Sequence, residues 1–271
     1  NCDISSYSII DEDERYNETE NINATINDLK IQNKKIKKNN SNNIEKLEEL
    51  INYHDSPIPT ISQFIHSYLC SEIKKDKVKV VFSGVGADEV FTGYYEHFIT
   101  HLFEMHKIGK FDEYKKSWEI YIKPKVRNSF FKDEYLYVND PGFRDHVYHN
   151  HEEFSEWFSD KNIKTSSYIE TNYTNSLMKN RMLNELFAEC VPAIVQHEDL
   201  NAMMNSIENR SPFLDHKLLD KVMSLPEEIF IKNGYNKIIL RDISKNIISD
   251  KVRNDRTKKG FNASISSLIN L

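Results

Sequence analysis

A short apolar run followed by a glycine-rich turn and an aspartate constrains the fold of this chain more than any other stretch. Residues 78–82 read Val-Lys-Val-Val-Phe, residues 83–86 read Ser-Gly-Val-Gly, and Asp88 opens a pattern typical of a helix. Strand, turn and helix in this order indicate an α/β protein, in which ligands bind at the carboxyl ends of strands. Gly84 and Gly86 let the backbone approach a ligand or adopt a positive φ. An isolated aspartate here would cap the helix, but the complete string favours a metal that carries phosphates.

The bulk composition is that of a globular chain and excludes several functional classes. Of 271 residues, 39% are hydrophobic and 29% are charged, enough for one large domain or two small ones. The formal net charge of -6 is opposite in sign to the basic footprint of nucleic-acid-binding proteins. No apolar run approaches the roughly 20 residues that cross a bilayer. We therefore expect a cytoplasmic protein that binds neither nucleic acid nor membrane.

Cysteines and histidines offer two alternative interpretations, and both are weak. Three widely spaced cysteines, Cys2, Cys70 and Cys190, exclude a disulfide framework and fit a reducing compartment. Cys190 as a nucleophile is disfavoured because apolar Phe187 and Val191 suggest a buried small hydrophobe. A metal-hydrolase site is disfavoured against solvated surface histidines because the spacing of its ligands is loose. Its candidate ligands are His146, His149, His151 and Glu152.

Hydrophobic spacing divides the chain into a short α/β region, up to about residue 90, and a mostly helical region. Residues 5–10 alternate and predict a strand, whereas residues 34–43 are rich in Asn and Lys and predict a charged surface loop. From residue 90 onward nearly every segment has helical spacing. Helices are predicted over 18–29, 44–53, 60–74, 90–106, 111–122, 153–158, 177–190, 218–223 and 237–246.

A second cluster of unusual residues lies at 198–215. Glu208 and Arg210 run directly into the apolar turn Pro-Phe-Leu-Asp, where ionised groups should be paired or functional. The structural interpretation is a salt bridge between the two that supports the turn. The spacing of Met203, Ser206, Ile207 and Arg210 predicts that they share one helical face.

A third cluster is basic and lies near the C-terminus. Lys237 and Arg241 fall at the start of an amphipathic helix, and residues 256–260 read Arg-Thr-Lys-Lys-Gly. Such a loop can meet a polyphosphate with point charges. Because lysine-rich surface loops are common, this signal is informative only in combination with the other clusters.

Together the clusters resemble the synthetase domain of glutamine-hydrolysing asparagine synthetases, a family related to β-lactam synthetase and other adenylating amidotransferases. Ser-Gly-x-Gly-Ala-Asp-Glu-x-Phe-x-Gly-Tyr over 83–94 is similar to its second nucleotide motif. Glu-x-Arg-x-Pro-Phe-Leu-Asp over 208–215 is similar to its signature sequence. Lys-x-x-Leu-Arg over 237–241 and Arg-x-Lys-x-Gly-Phe over 256–261 are similar to its C-terminal basic motifs. Four motifs in the family's order make the resemblance specific.

The resemblance implies a synthetase-type domain over residues 1–271 with an adenine-nucleotide α-hydrolase-like fold. This fold is a parallel sheet with flanking helices, followed by a mostly helical C-terminal part. The implied reaction uses ATP and Mg²⁺: a carboxylate, expected to be aspartate, forms an acyl-adenylate, and ammonia from glutamine displaces AMP. A glutaminase domain is then the ammonia source, and a homodimer is compatible with the family.

The resemblance also assigns roles to individual residues. Lys258 would stabilise the pyrophosphate, and Asp88 would hold Mg²⁺. Arg210 and Glu208 would shape the acceptor side. Asp55, in a His-Asp-x-Pro turn, is either substrate-side or structural. The residues expected on the nucleotide side are Ser83, Gly84, Gly86, Asp88 and Lys237.

Two elements of the family are missing from the sequence. The pyrophosphate loop Ser-Gly-Gly-x-Asp-Ser at the end of the family's first strand is absent, and so is the N-terminal glutaminase domain. Cys2 follows Asn1 in a context unlike a glutaminase, so it is not the expected nucleophile. We therefore expect a fragment of a longer protein that binds ATP poorly and is inactive by itself.

Two departures from the family's pattern concern the carboxylate substrate that would accept the nitrogen. Val85 stands where asparagine-forming members usually carry an acidic residue, and a valine cannot accept a proton. The segment that recognises aspartate in well-known members is not visible near residues 59–63. These departures leave open a related amidotransferase that acts on another carboxylate, such as a cell-surface sugar precursor, or a member without catalysis.

Overall fold

The computed structural model describes residues 4–11, 13, 16–37, 42–144, 153, 155–160, 168–258 and 260–261. Within these ranges the chain is an α/β protein, as predicted, with helices dominating after residue 90. The strands are β1 (Ser5–Ile10), β2 (Gln32–Lys37), β3 (Val80–Phe82) and β4 (Glu208–Arg210). The α-helices are α1 (Thr19–Leu29), α2 (Asn43–His54), α3 (Ile61–Lys75), α4 (Ala87–Val90), α5 (Tyr95–Lys107), α6 (Phe111–Tyr121), α7 (Leu136–Asn139), α8 (Leu177–Phe187), α9 (Cys190–Met204), α10 (His216–Met223), α11 (Ile238–Ile243) and α12 (Asp250–Arg253).

The strands of the described chain form two parallel pairs. β1 lies beside β2 with Ser5 opposite Gln32, and α1 supplies the crossover that a parallel connection requires. β3 lies beside β4 with Phe82 opposite Arg210. The connection from β3 to β4 contains helices α4 to α9, so the helical region of the molecule is inserted between two neighbouring strands.

Both strand pairs rest on the same two helices. Buried Ile73 of α3 packs with Ala202 of α9, and Tyr7 of β1 and Val81 of β3 both pack against this cluster. The apolar faces of β1 and β3 therefore share one supporting layer, although neither strand pairs with the other.

The largest core lies in the helical region. Val90 of α4, Phe98 of α5, Trp118 of α6 and Met182 of α8 are buried members of this cluster. Complete burial of such side chains contributes about 1.5–3 kcal/mol each. This core holds α4, and with it the turn that follows β3, in a fixed position.

Most of the elements predicted before residue 90 are confirmed. The strand over 5–10 is β1, and the helices expected over 18–29, 44–53 and 60–74 are α1, α2 and α3. The surface loop expected over 34–43 is partly wrong, because residues up to Lys37 form β2. Ile36 of β2 is buried, while exposed lysines beside it obscure the strand pattern in the sequence.

Three helix predictions after residue 90 need correction. The helix expected over 90–106 is interrupted, because α4 ends at Val90 and Thr92 has a positive φ of 64° before α5 begins. The helix expected over 177–190 ends at Phe187, and α9 starts at Cys190. The prediction that residues within 203–210 share one helical face is wrong. α9 ends at Met204, and residues 208–210 pair with β3 as a strand.

Two further sets of residues fall wholly or partly outside the described ranges. The predicted helix over 153–158 includes residue 154, which is not described. Also outside the described ranges are Cys2 and the metal-hydrolase candidates His146, His149, His151 and Glu152. In the portion of the chain that the structure describes, no helix has the length and apolar character needed to cross a membrane.

Candidate functional site

The carboxyl ends of β3 and β4 meet at a pair of serines. The Ser83 amide donates to the Arg210 carbonyl over 2.8 Å, and this bond extends the strand pairing by one step. The hydroxyl oxygens of Ser83 and Ser211 are 3.1 Å apart. Two hydroxyls are thus presented side by side at the strand ends, where α/β proteins bind their ligands.

Asp88 lies between two lysines that come from different segments of the C-terminal region. Lys237 forms an ion pair with its Oδ1, and Lys258 forms an ion pair and hydrogen bond with its Oδ2. The side chains are partly exposed, at 23% for Asp88 and 27% for each lysine. Burial opposes ionisation of Asp88, but the two ammonium groups outweigh it and lower the pKa of the carboxyl. The alternative of a helix cap is not supported, since Gly86 is the N-cap of α4.

Two glycines shape the backbone around Asp88. A Cβ atom at Gly93 would lie 1.8 Å from Oδ1 of Asp88, so only glycine leaves room for this carboxylate. Gly86 has a φ of 90°, and a Cβ there would lie 2.3 Å from Cδ2 of Leu214. Gly86 therefore lets the turn after β3 pack against the Pro-Phe-Leu-Asp turn after β4.

Gly84 has a different environment from the other two. It is exposed, and no atom lies within 4 Å of a Cβ built on it. Beside the Ser83 hydroxyl, this backbone is open to a ligand. The prediction that Ser83 and Gly84 contact a nucleotide is compatible with this geometry but is not tested by it.

Arg241 connects the two segments that carry the lysines. Its Nε donates to the Asn236 carbonyl over 2.7 Å, and its Nη1 donates to the Arg253 carbonyl. Asn236 in turn donates from Nδ2 to the Gly93 carbonyl over 3.3 Å. Burial lowers the pKa of the Arg241 guanidinium. The sequence grouped Arg241 with Lys237 in one motif, and the structure shows that it braces the surroundings of both lysines.

Glu208 and Arg210 form the expected salt bridge, but on the surface. Arg210 Nε and Glu208 Oε1 are 2.8 Å apart, and the side chains are 56% and 57% exposed. An exposed pair of this kind contributes at most about 1 kcal/mol to stability. The two charges flank Asn209, which β4 directs towards α9.

Glu198, the first residue of the second sequence cluster, lies near the strand ends, although no motif gave it a role. Its Oε2 accepts from Nδ2 of Asn209 over 2.9 Å, and it also accepts a hydrogen bond from the side chain of Ser83. Burial raises the pKa of this carboxyl, and the two neutral donors offset only some of the effect. Nothing in the spacing of Glu198 indicates this position, because it depends on how α9 packs against β4.

Val85, Asp55 and the cysteines complete the set of residues that the sequence singled out. Val85 is half-buried and packs against the large core. Asp55 is an exposed C-cap of α2 with a φ of 50°. Cys190 is only half-buried and Phe187 is 55% exposed, so the expected deep burial is wrong. Burial nevertheless raises the Cys190 pKa to about 12, which makes the thiol a poor nucleophile.

A second charged centre lies inside the helical region. Arg181 of α8 is 1% exposed and forms ion pairs with four carboxylates. His97 Nε2 lies 2.9 Å from Glu185, and the Tyr137 hydroxyl donates to Glu96 over 2.6 Å. The four carboxylates belong to Glu96, Glu170, Glu185 and Glu189.

Asp88 is the carboxylate at the strand ends that fits a divalent cation. Among the described residues, no group of three or more His, Cys, Asp or Glu side chains could hold a metal alone. Mg²⁺ is commonly held by one or two carboxylates together with substrate phosphates and water. A single aspartate beside two lysines fits such a shared site.

The fold and this site define a class: an α/β domain whose strand ends carry two hydroxyls, a carboxylate and two lysines. The family model for asparagine synthase matches residues 1–270, and the chain belongs to that family. The chain is 24% identical over 229 residues to asparagine synthetase (glutamine-hydrolyzing) 1 of Bacillus subtilis (strain 168). This match covers 80% of the chain but 36% of the relative, so the chain spans about a third of that protein's length.

Proposed function

We propose that this chain is the synthetase portion of an ATP-dependent amide-forming ligase that activates a carboxylate as an acyl-adenylate. The observation that carries the proposal is the Asp88 carboxylate held between Lys237 and Lys258 beside the end of β3. Membership in the asparagine synthase family supports the same reaction class. Aspartate is the proposed carboxylate, with asparagine, AMP and pyrophosphate as products.

The two lysines suit the leaving group of this reaction. Pyrophosphate gains negative charge as it leaves, and preorganised cations at that position lower the barrier. Lys237 and Lys258 would exchange the Asp88 carboxylate for phosphate oxygens without large movement, since all three groups are partly exposed. Bound Mg²⁺ would neutralise phosphate oxygens and would be held through Asp88. Ser83 and Gly84 would contact the adenylate from the strand ends.

We further propose that the nucleotide site is completed by a strand from the rest of the protein. β1 and β3 each have an edge that no described strand occupies, and both pack on the same layer. A parallel strand between them would bring a pyrophosphate loop to the same strand ends. The B. subtilis relative is named as glutamine-hydrolysing and is much longer than this chain, which supports a glutaminase domain as the ammonia source.

A second candidate function follows from the residue at position 85. Val85 supplies no proton acceptor near the strand ends, in contrast to the acidic residue usual in asparagine-forming members. A related amidotransferase that uses another carboxylate is therefore the second candidate. Arg210 and Glu208 remain the proposed acceptor-side residues, and their exposure leaves them accessible to a substrate.

The proposal is tested by pyrophosphate release from Mg-ATP, measured on the full-length protein that contains this chain. Aspartate with glutamine should stimulate release, and Lys258→Ala should reduce it about 100-fold. The matched control is Lys251→Ala, since Lys251 is 54% exposed and pairs with Glu20 at the surface. It should retain wild-type activity.

Three outcomes would change the assignment. Stimulation by a different carboxylate, with none by aspartate, would favour the second candidate. Full activity of Lys258→Ala would refute the role of the lysine pair. A cellular function that survives both Asp88→Asn and Lys258→Ala would support a non-catalytic member of the family.

A further inference from the structure

The segment that carries Lys258 has no regular secondary structure, so its position must be fixed by side-chain contacts. α12 ends at Arg253, and residues 254–258 form neither helix nor strand. The Thr257 amide donates to Asp255 Oδ1 over 2.7 Å, which makes a local turn but does not attach the segment to the core. An ammonium group must be placed within a fraction of an ångström to stabilise a leaving phosphate, so this attachment matters.

Asn21 donates to Asp255 over 3.1 Å and Lys125 donates to Thr257 over 3.4 Å. Arg256 adds a further attachment next to Lys258, because its guanidinium lies between two tyrosine rings. The guanidinium carbon is 4.0 Å from the centroid of the Tyr121 ring and 3.7 Å from that of Tyr235. Its Nη2 also donates to the Asn233 carbonyl over 3.3 Å. A planar cation stacks well on aromatic faces, and two such faces restrict it from both sides.

Both rings belong to well-anchored regions of the fold. Tyr121 is the last residue of α6, whose Trp118 is buried in the large core. Tyr235 belongs to a tight turn in which the Tyr235 amide donates to the Lys232 carbonyl over 2.9 Å, and the Lys232 amide donates back over 3.0 Å. Gly234 has a φ of 72° and approaches Tyr121 so closely that a Cβ would lie 2.9 Å from its side chain.

We propose that Tyr121, Arg256 and Tyr235 form a positioning clamp that sets the Lys258 ammonium group for the departing pyrophosphate. The inference rests on the proposed function and adds residues outside the site contacts described above. Arg256 lies two residues before Lys258, so fixing its guanidinium restricts the reach of the lysine towards Asp88. The clamp residues act through Lys258 and are not expected to touch the substrate.

The clamp predicts a specific pattern of kinetic effects in the full-length protein. Tyr121→Ala removes one stacking face, and Arg256→Lys keeps the charge but removes the planar group. Each should lower kcat for pyrophosphate release about tenfold, with the KM for the acceptor carboxylate changed less than about twofold. Tyr121→Phe should restore most of the rate because it keeps the ring. Ile120→Ala is the matched control, since its side chain is 65% exposed on the same helix turn.

A double-mutant cycle separates positioning from general structural damage. Magnesium pyrophosphate affinity is measured by calorimetry for Tyr121→Ala, Lys258→Ala and the double variant. If Tyr121 acts through Lys258, Tyr121→Ala weakens binding about tenfold alone but less than about twofold in the Lys258→Ala background. A further tenfold loss in that background would overturn the clamp.

The outcomes for the clamp and for the proposed function are distinguishable. If the wild-type protein does not bind magnesium pyrophosphate, the proposed function has failed. If the wild type binds it and Lys258→Ala weakens it, while Tyr121→Ala and Arg256→Lys bind normally, only the clamp is wrong. Should Tyr121→Ala fail to fold, Arg256→Lys alone or combined with Lys258→Ala gives the same test.

Discussion

Two charged centres, one around Asp88 of α4 and one around Arg181 of α8, use the same kinds of groups in opposite ways. At the strand ends a single carboxylate, Asp88, meets two lysines, and all three side chains are 23–27% exposed. Inside the helical region a single guanidinium, Arg181, meets four carboxylates and is 1% exposed. The centre at the strand ends is open and has excess positive charge, while the centre at Arg181 is closed and has excess negative charge.

The two centres differ in their capacity to exchange partners. Lysine is a compact point charge on a flexible stem, and a partly exposed pair gains little net energy, so phosphate can replace the carboxylate. Arginine has a planar group with several fixed donors, and a buried charge without a partner is strongly destabilising. These properties favour the proposed binding role of the Asp88 centre and a structural role for the Arg181 centre.

The largest effect that would test this comparison is expected from Arg181→Met. The substitution keeps an apolar stem but leaves buried carboxylates without their central cation, and it should destabilise the protein by about 3–5 kcal/mol. Urea unfolding followed by circular dichroism measures the change. The matched control is Arg210→Met, whose exposed pair with Glu208 should contribute less than about 1 kcal/mol. Equal stability losses in the two variants would contradict the comparison.

The second effect is expected from Asp88→Asn and appears in activity rather than in stability. The amide has nearly the shape of the carboxylate but cannot neutralise the lysines or hold Mg²⁺, so pyrophosphate release should fall about 100-fold. Stability should change by no more than about 1 kcal/mol, because the ion pairs are partly exposed. A loss of stability as large as that of Arg181→Met would make Asp88 a structural residue.

The smallest effect concerns Glu198, a carboxylate that meets neutral donors instead of cations. Because burial raises its folded pKa above the ordinary 4.5, the folded state binds its proton more tightly than the unfolded state. This contribution to stability is complete below pH 4.5 and declines as the pH rises through the folded pKa. Glu198→Gln should therefore be more stable than wild type at pH 8, by on the order of 1 kcal/mol.

The control for this prediction is the pH dependence itself. At pH 5 the two proteins should unfold at more similar urea concentrations than at pH 8, because the wild-type carboxyl is then more fully protonated. A difference between the variants that does not vary with pH would show that packing, not ionisation, accounts for the change.

The α/β class, the family and the residues that form the Asp88 centre could all be predicted from the amino-acid sequence. The strand, the glycine turn and the aspartate follow one another directly in the sequence, within residues 78–94. Asp88, Lys237 and Lys258 were each predicted from short motifs, and the structure brings the three side chains together. Their roles towards ATP and Mg²⁺ stay predictions.

Elsewhere in the folded chain, non-local contacts outweigh local spacing. Residues 206–210 have helical periodicity, but pairing with β3 makes 208–210 a strand. The contact of Glu198 with Asn209 joins residues 11 positions apart. Arg181 meets Glu96 across 85 positions, and Arg256 meets Tyr121 across 135. No periodic pattern in the sequence indicates these contacts. Burial and strand pairing depend on which elements pack together. Because the connection from β3 to β4 is long, the packing of the core determines which residues meet, and local spacing does not.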